Sequence, residues 1–196
     1  MTGRPLRNRV DPFGALHATP ERGRMMGNRG GRFHDEAREI GGRTRAGRRW
    51  ICCVLEFRGR RREVWGAGYT QLFFADEATA LAAGHRPCFE CRRAAARAFA
   101  AAFGRARGTP PASADEMDAI LDVQRRAARP EVATADLPVG AMVAVGDAAV
   151  ARRDGGWARW AFAGSAPTPD AMPSRATLLT PPATLATLRA GYRPDA

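Results

Sequence analysis

The segment His85-Arg86-Pro87-Cys88-Phe89-Glu90-Cys91 constrains this chain more than any other. A C-x-x-C pair entered through a stiff proline lets the intervening backbone turn until both sulfurs face one point, which is half of a tetrahedral metal site. Cys52, Cys53, Cys88 and Cys91 are the only cysteines in 196 residues. The N-terminus carries no apolar signal core, and no window approaches the roughly 20 apolar residues of a membrane helix. A cytoplasmic chain without a membrane partner is therefore expected. In that compartment thiols stay reduced, so the cysteines read as metal ligands, a redox pair or core residues before they read as disulfides. Glu90 sets an acid beside the C-x-x-C thiols, which works against the redox reading.

Charge is the second constraint. Every basic residue is arginine, and residues 1–62 hold 16 of them against 6 Asp and Glu, a net of +10; residues 63–196 hold 15 against 14, a net of +1. Such a field suits a polyanion, because guanidinium forks bind phosphate bidentately and release condensed counterions. Nucleic acid, DNA before RNA, is the expected partner, with a solubilising basic arm as the alternative.

The first 49 residues mix Gly, Arg and Pro with scattered apolar positions, and read as a basic irregular arm. Within it Gly27-Asn28-Arg29-Gly30-Gly31 is turn chemistry that, with Arg29 and Arg32, has the makings of an anion cradle. Trp50 to Phe57 reads as a strand that Arg58-Gly59-Arg60-Arg61 turns into a second strand near Arg62 to Trp65, a β-hairpin with an arginine-loaded tip. Asp76 to Gly84 reads as a short helix, and Arg92 to Phe103 as an Ala-rich helix with Phe99 and Phe103 on one face. Residues 105–136 form a linker and a helix opened by the capping box Ser113 to Glu116 and closed by Pro130. Residues 137–196 read as a small antiparallel sheet and a last helix. The expected fold is α+β: a small zinc-stabilised hairpin and helix module over residues 50–104, then helices and a small sheet. The form L-x-A-G-aromatic-R-P occurs at 81–87 and again at 188–194, and reads as shared helix-ending grammar before it reads as duplication.

Phe73-Phe74, the helix Asp76 to Gly84 and the His85 to Cys91 knuckle, in that order, resemble the Ada-type metal-binding domain. The resemblance covers about 20 of 196 residues, roughly 73–93. It implies a bound zinc ion with Cys88 and Cys91 as two ligands. In that family the other two come from an upstream pair of cysteines set a few residues apart, whereas Cys52 and Cys53 are adjacent. Neighbouring strand residues point to opposite faces, so one of the two at most joins the ion. Cys53, which shares its face with Ile51, Leu55 and Phe57 toward an expected core, is chosen. The fourth ligand is His34 or His85; His85 stands where the family has an aromatic, so His34 is preferred. The family's methyl transfer to a zinc thiolate needs a fully thiolate-rich site and is not carried over.

The resulting expectation is a zinc-stabilised nucleic-acid-binding protein with Arg29, Arg32, Arg58, Arg60, Arg61, Arg62, Arg92 and Arg93 on phosphates. One rival is a metal-dependent nuclease or hydrolase built on His34, Asp35 and His85. The other is a non-catalytic interaction module anchored by Trp157 and Trp160.

Overall fold

The computed structural model describes residues 4–60, 63–168 and 171–195. Its first half builds one sheet from β1 (Arg9–Val10), β2 (Leu16–His17), β3 (Met25–Arg29), β4 (Trp50–Cys53) and β5 (Leu72–Phe74), then α1 (Glu77–Ala82) and a sixth strand, β6 (Arg86–Pro87). The helices α2 (Arg93–Arg105) and α3 (Ala114–Arg126) follow. The second sheet contains β7 (Glu131–Ala133), β8 (Met142–Val145), β9 (Ala148–Arg153), β10 (Gly156–Arg159), β11 (Ala166–Pro167) and β12 (Arg175–Leu178), and α4 (Pro182–Arg189) closes the chain. The expected mixed α+β class is what is observed. Among the described residues no helix is long and apolar enough to cross a membrane.

The strand order of the first sheet is β2-β1-β5-β3-β4-β6. Here the N-terminal expectation fails: residues 1–49 supply three of its strands and are not an irregular arm. Asn28 and Arg29 are strand residues paired with Ile51 and Trp50, and not a turn. Gly27 and Gly30 hid this strand from a periodicity reading, since glycine contributes no apolar side chain to an alternation. The hairpin fails with it. β4 pairs with β3 on one side and, in parallel, with β6 on the other, and residues 63–65 form no strand. Arg61 and Arg62 lie outside the described residues.

Helix α1 explains how the two sheets are joined. All six of its residues are buried, as a helix without a polar stripe requires. Ala80 and Ala83 pack with Leu72, Phe74 and Cys52 of the first sheet. Ala78 and Ala82 pack with Met142, Ala149 and Ala151 of the second. Leu81 enters the largest cluster, with Phe99, Phe103, Met117, Val143 and Leu185. Small side chains let both sheets approach one helix closely. Asp76 caps it, accepting from Thr79 N at 2.8 Å with Oδ1 and from Arg153 Nη2 at 2.6 Å with Oδ2.

The helix ends repeat one device. Gly84 (φ 82°) and Gly191 (φ 98°) are left-handed, and the next residue's amide bonds back to the helix, His85 N to Ala80 O at 2.9 Å and Tyr192 N to Thr187 O at 3.2 Å. The two L-x-A-G-aromatic-R-P segments are thus two copies of one helix ending.

The antiparallel sheet expected over residues 137–196 is present as β8 to β12, with β7 added from the preceding segment, in the order β11-β10-β9-β8-β12-β7. Trp160 is not a free anchor: its Nε1 donates to Thr79 Oγ1 at 2.9 Å, and the ring packs against the cluster between the sheets. Trp157 is half-buried against the largest cluster.

Candidate metal centre and the groove above it

The parallel pairing of β4 with β6 places the first two ligands. Ile51 is opposite Arg86 and Cys52 opposite Pro87, and Cys88 N donates to Cys52 O at 2.9 Å, so the register carries Cys53 and Cys88 onto one face as neighbours. A turn at Phe89-Glu90 brings Cys91 back just before α2 begins. The ligand atoms of Cys53, Cys88 and Cys91 lie within 4.8 Å of one another. All three cysteines are unpaired, with Cys53 and Cys88 buried and Cys91 half-buried. This is the donor set of a soft or borderline divalent ion such as zinc.

The electrostatics of the trio fit ligation. Glu90 N donates to Cys88 Sγ at 3.4 Å. Hydrogen bonds from Cys53 and then Cys91 pull the Cys88 thiol well below its ordinary range. Cys53 is pushed up by its bonds to Cys88 and Cys91 and by burial. The Cys91 bond to Cys53 would lower its pKa, but the bond to Cys88 and burial outweigh that and raise it. Three thiols that share hydrogen bonds in this way form a cluster that a cation completes by displacing protons.

Cys52 behaves as the alternation requires. Its side chain is fully buried in the first core with Leu72 and Phe74, and burial first, then the charge of Glu77, raises its pKa. Cys53 and not Cys52 lies with Cys88 and Cys91, and the expected reason inverts: Cys52 faces the core and Cys53 faces away from it.

The histidines are elsewhere. His34 is not a fourth ligand. Its Nδ1 accepts from Thr70 Oγ1 at 2.7 Å, its Nε2 donates to Gly66 O at 3.2 Å, and its ring stacks on Trp65. His85 is fully buried between Trp50 and Phe74. Its Nδ1 donates to Ala80 O and its Nε2 accepts from Arg29 Nε at 3.4 Å. Burial, Arg29 and Arg125 hold its pKa well below the usual value, so it stays neutral in the aromatic role that the resemblance assigns to its position. A hydrolase centre of His34, Asp35 and His85 is not assembled.

The expected phosphate-binding arginines divide in two. Arg29 is 1% exposed. It donates from Nη2 to Gly14 O at 2.9 Å and lies over Trp50 at 4.0 Å, and burial and Arg125 bring its pKa down to about 9. Arg92 is buried as well, donating from Nη1 and Nη2 to Glu77 Oε1 and Oε2 at 2.7 Å each. Both are structural and are withdrawn from the interface. Buried arginines were not separable from exposed ones while their strand and helix partners were unknown. Arg32, Arg58, Arg60 and Arg93 are exposed. Arg60 pairs with Glu90 at 2.6 Å, and both Arg58 and Arg60 stack on Phe57.

Above the thiols lies a groove of about 460 Å³, into which Cys53, Cys88 and Cys91 all face. Its floor is the outer face of the first sheet, where Met26 stands opposite both Phe73 and Cys53, and Asn28 opposite Ile51. Its wall comes from the loop between β4 and β5, including Phe57, Val64 and Tyr69. That loop is pinned by Trp65, which donates from N to Gln71 Oε1 and from Nε1 to Gln71 O, both at 2.8 Å. The alternation Met26, Asn28 was the sequence signal for this floor, and it went unread with β3.

Comparison of the chain with family models, with curated proteins and with solved structures finds no match.

Proposed function

We propose that this is a zinc protein that binds nucleic acid, with Cys53, Cys88 and Cys91 holding one ion between β4 and the start of α2. The observation that carries the metal reading is the convergence of three thiols within 4.8 Å from two distant segments. Chance burial does not require such convergence, and Cys52 shows the alternative, a thiol that faces the core alone. The resemblance of residues 73–93 to the Ada-type domain accords with this reading.

Among the described residues no other Cys, His, Asp or Glu joins the cluster. Three protein ligands leave a fourth position for a water or a ligand atom, the pattern of a zinc site that meets solutes and not of a closed structural knot. Exposed Arg60 at the rim of the groove, Arg58 beside it on the Phe57 ring, and Arg93 beside the knuckle support nucleic acid as the partner, because they offer positive charge outside the thiol cluster, where a phosphate backbone would run.

Elemental analysis of the purified chain tests the metal. One zinc per chain, lost on Cys88→Ser, is the expected result, and substoichiometric metal in the unaltered chain rejects it. An anisotropy titration at low salt tests the partner, with measurable affinity for DNA expected.

A further inference from the structure

We infer that the groove beside the three thiols is a binding site for a neutral nitrogen heteroaromatic ring, one of whose ring nitrogens completes the coordination of the metal. This rests on the metal reading above and goes beyond it by naming the occupant of the fourth position.

Location comes first. Cys53, Cys88 and Cys91 all line the same groove, so a position left by three ligands opens onto it. A volume of about 460 Å³ falls within the roughly 300–1,000 Å³ of small-ligand sites. The floor and wall present Phe73, Phe57 and Tyr69, aromatic surfaces against which a flat ring packs.

Charge then selects among donor atoms. A divalent ion with three thiolates carries one net negative charge, and Glu56 adds another at the groove. The cation lining the groove, Arg60, is paired with Glu90. A thiolate or carboxylate ligand would add negative charge to a half-buried, already negative site. A neutral imine nitrogen adds none, and aromatic nitrogen suits a zinc-like ion.

The polar groups agree with such a ring. Asn28 Oδ1 accepts from Gly30 N at 3.1 Å, which leaves the amide NH₂ to donate. Gln71 Oε1 accepts from Trp65 N, and one Nε2 hydrogen goes to Glu63 O, which leaves the other. Amide donors beside aromatic walls read the acceptor edge of a heterocycle. Unpaired nucleobases belong to this class and so do small free heterocycles.

The test uses the full chain loaded with Co²⁺, whose visible bands report its ligands. Titration with 1-methylimidazole and with adenosine is expected to shift the d–d bands to saturation, while benzoate leaves them in place. Ile51→Trp fills the floor beside Asn28 without removing a thiol; it is expected to keep the thiolate-to-cobalt bands and to weaken both heterocycles roughly tenfold or more. Thiolate-to-cobalt bands that no heterocycle perturbs overturn the inference alone. So do a benzoate shift equal to that of the heterocycles and an Ile51→Trp chain that binds them unchanged. Absence of those bands overturns the metal centre and the inference with it. Both ring sources support the inference: a single-stranded oligonucleotide that acts at lower concentration than adenosine assigns the ring to nucleic acid, and the reverse order assigns it to a free heterocycle.

Discussion

Glu77 and Arg92 meet in the interior as a two-pronged pair, Nη1 to Oε1 and Nη2 to Oε2, each at 2.7 Å, with side chains 0% and 3% exposed. The same carboxylate accepts from Tyr192 OH on Oε1 and from Asp195 N on Oε2, both at 2.7 Å. One residue of α1 thus ties the segment just after Cys91 to the chain's C-terminal end. The whole carboxylate is hydrogen-bonded, which is the condition under which a buried charge is tolerated.

Breaking that pair from one side should be costly. Glu77→Leu leaves the Arg92 guanidinium buried with the more exposed Asp195 as its remaining counter-charge, and is expected to lower stability by about 3–5 kcal/mol. Denaturant titration checks this. The double change Glu77→Leu, Arg92→Met should cost less than Glu77→Leu alone, and a larger loss in the double variant would count against the pair as drawn.

The adjacent cysteines should separate two properties. Cys88→Ser, like Cys53→Ser, is expected to abolish stoichiometric metal. Cys52→Ser should retain the metal and instead lose about 1–3 kcal/mol, because it buries a hydroxyl beside Leu72 and Phe74. Metal analysis alongside thermal unfolding distinguishes them, and loss of metal in Cys52→Ser would refute the assignment of faces.

The buried neutral histidine predicts a pH dependence. The folded pKa of His85 is depressed, by burial first and then by Arg29 and Arg125, so below the ordinary value near 6.5 the unfolded chain takes up a proton that the folded chain refuses. Its contribution is fully present above that value and is lost as pH falls toward the folded pKa, at up to about 1.4 kcal/mol per unit. His85→Phe removes the imidazole acceptor of Arg29 and so costs stability at every pH, but its stability curve should be flatter than that of the unaltered chain below pH 6.5. Parallel curves would show that His85 does not titrate on unfolding.

Nucleic-acid affinity should depend on the exposed arginines and not on the buried ones. If Arg58, Arg60 and Arg93 each neutralise one phosphate, replacing all three with alanine lowers the slope of log affinity against log salt on duplex DNA by about 2.7. Salt titrations by anisotropy measure it. An unchanged slope would move the interface away from the groove.

Local grammar was legible in the sequence, and long-range pairing was not. Asp76, Gly84, Ser113 and Pro130 marked the ends of α1 and α3 because caps and stops act within a few residues. Cys88 and Cys91 were readable for the same reason. The partnership of Cys53 depends on β4 lying beside β6, which no local pattern encodes. The burial of Arg29 and Arg92 depends on segments brought together from 15 to 103 residues away. His34 was misread because an imidazole signals metal only when its neighbours are known, and here they are Thr70, Gly66 and Trp65.

X-ray absorption at the zinc edge tests the central claim most directly, because it counts the sulfurs around the ion. The account predicts one zinc per chain with three sulfurs at about 2.3 Å and one lighter nitrogen or oxygen donor near 2.0–2.1 Å. A shell of nitrogen and oxygen alone, a fourth sulfur, or no bound metal would contradict it.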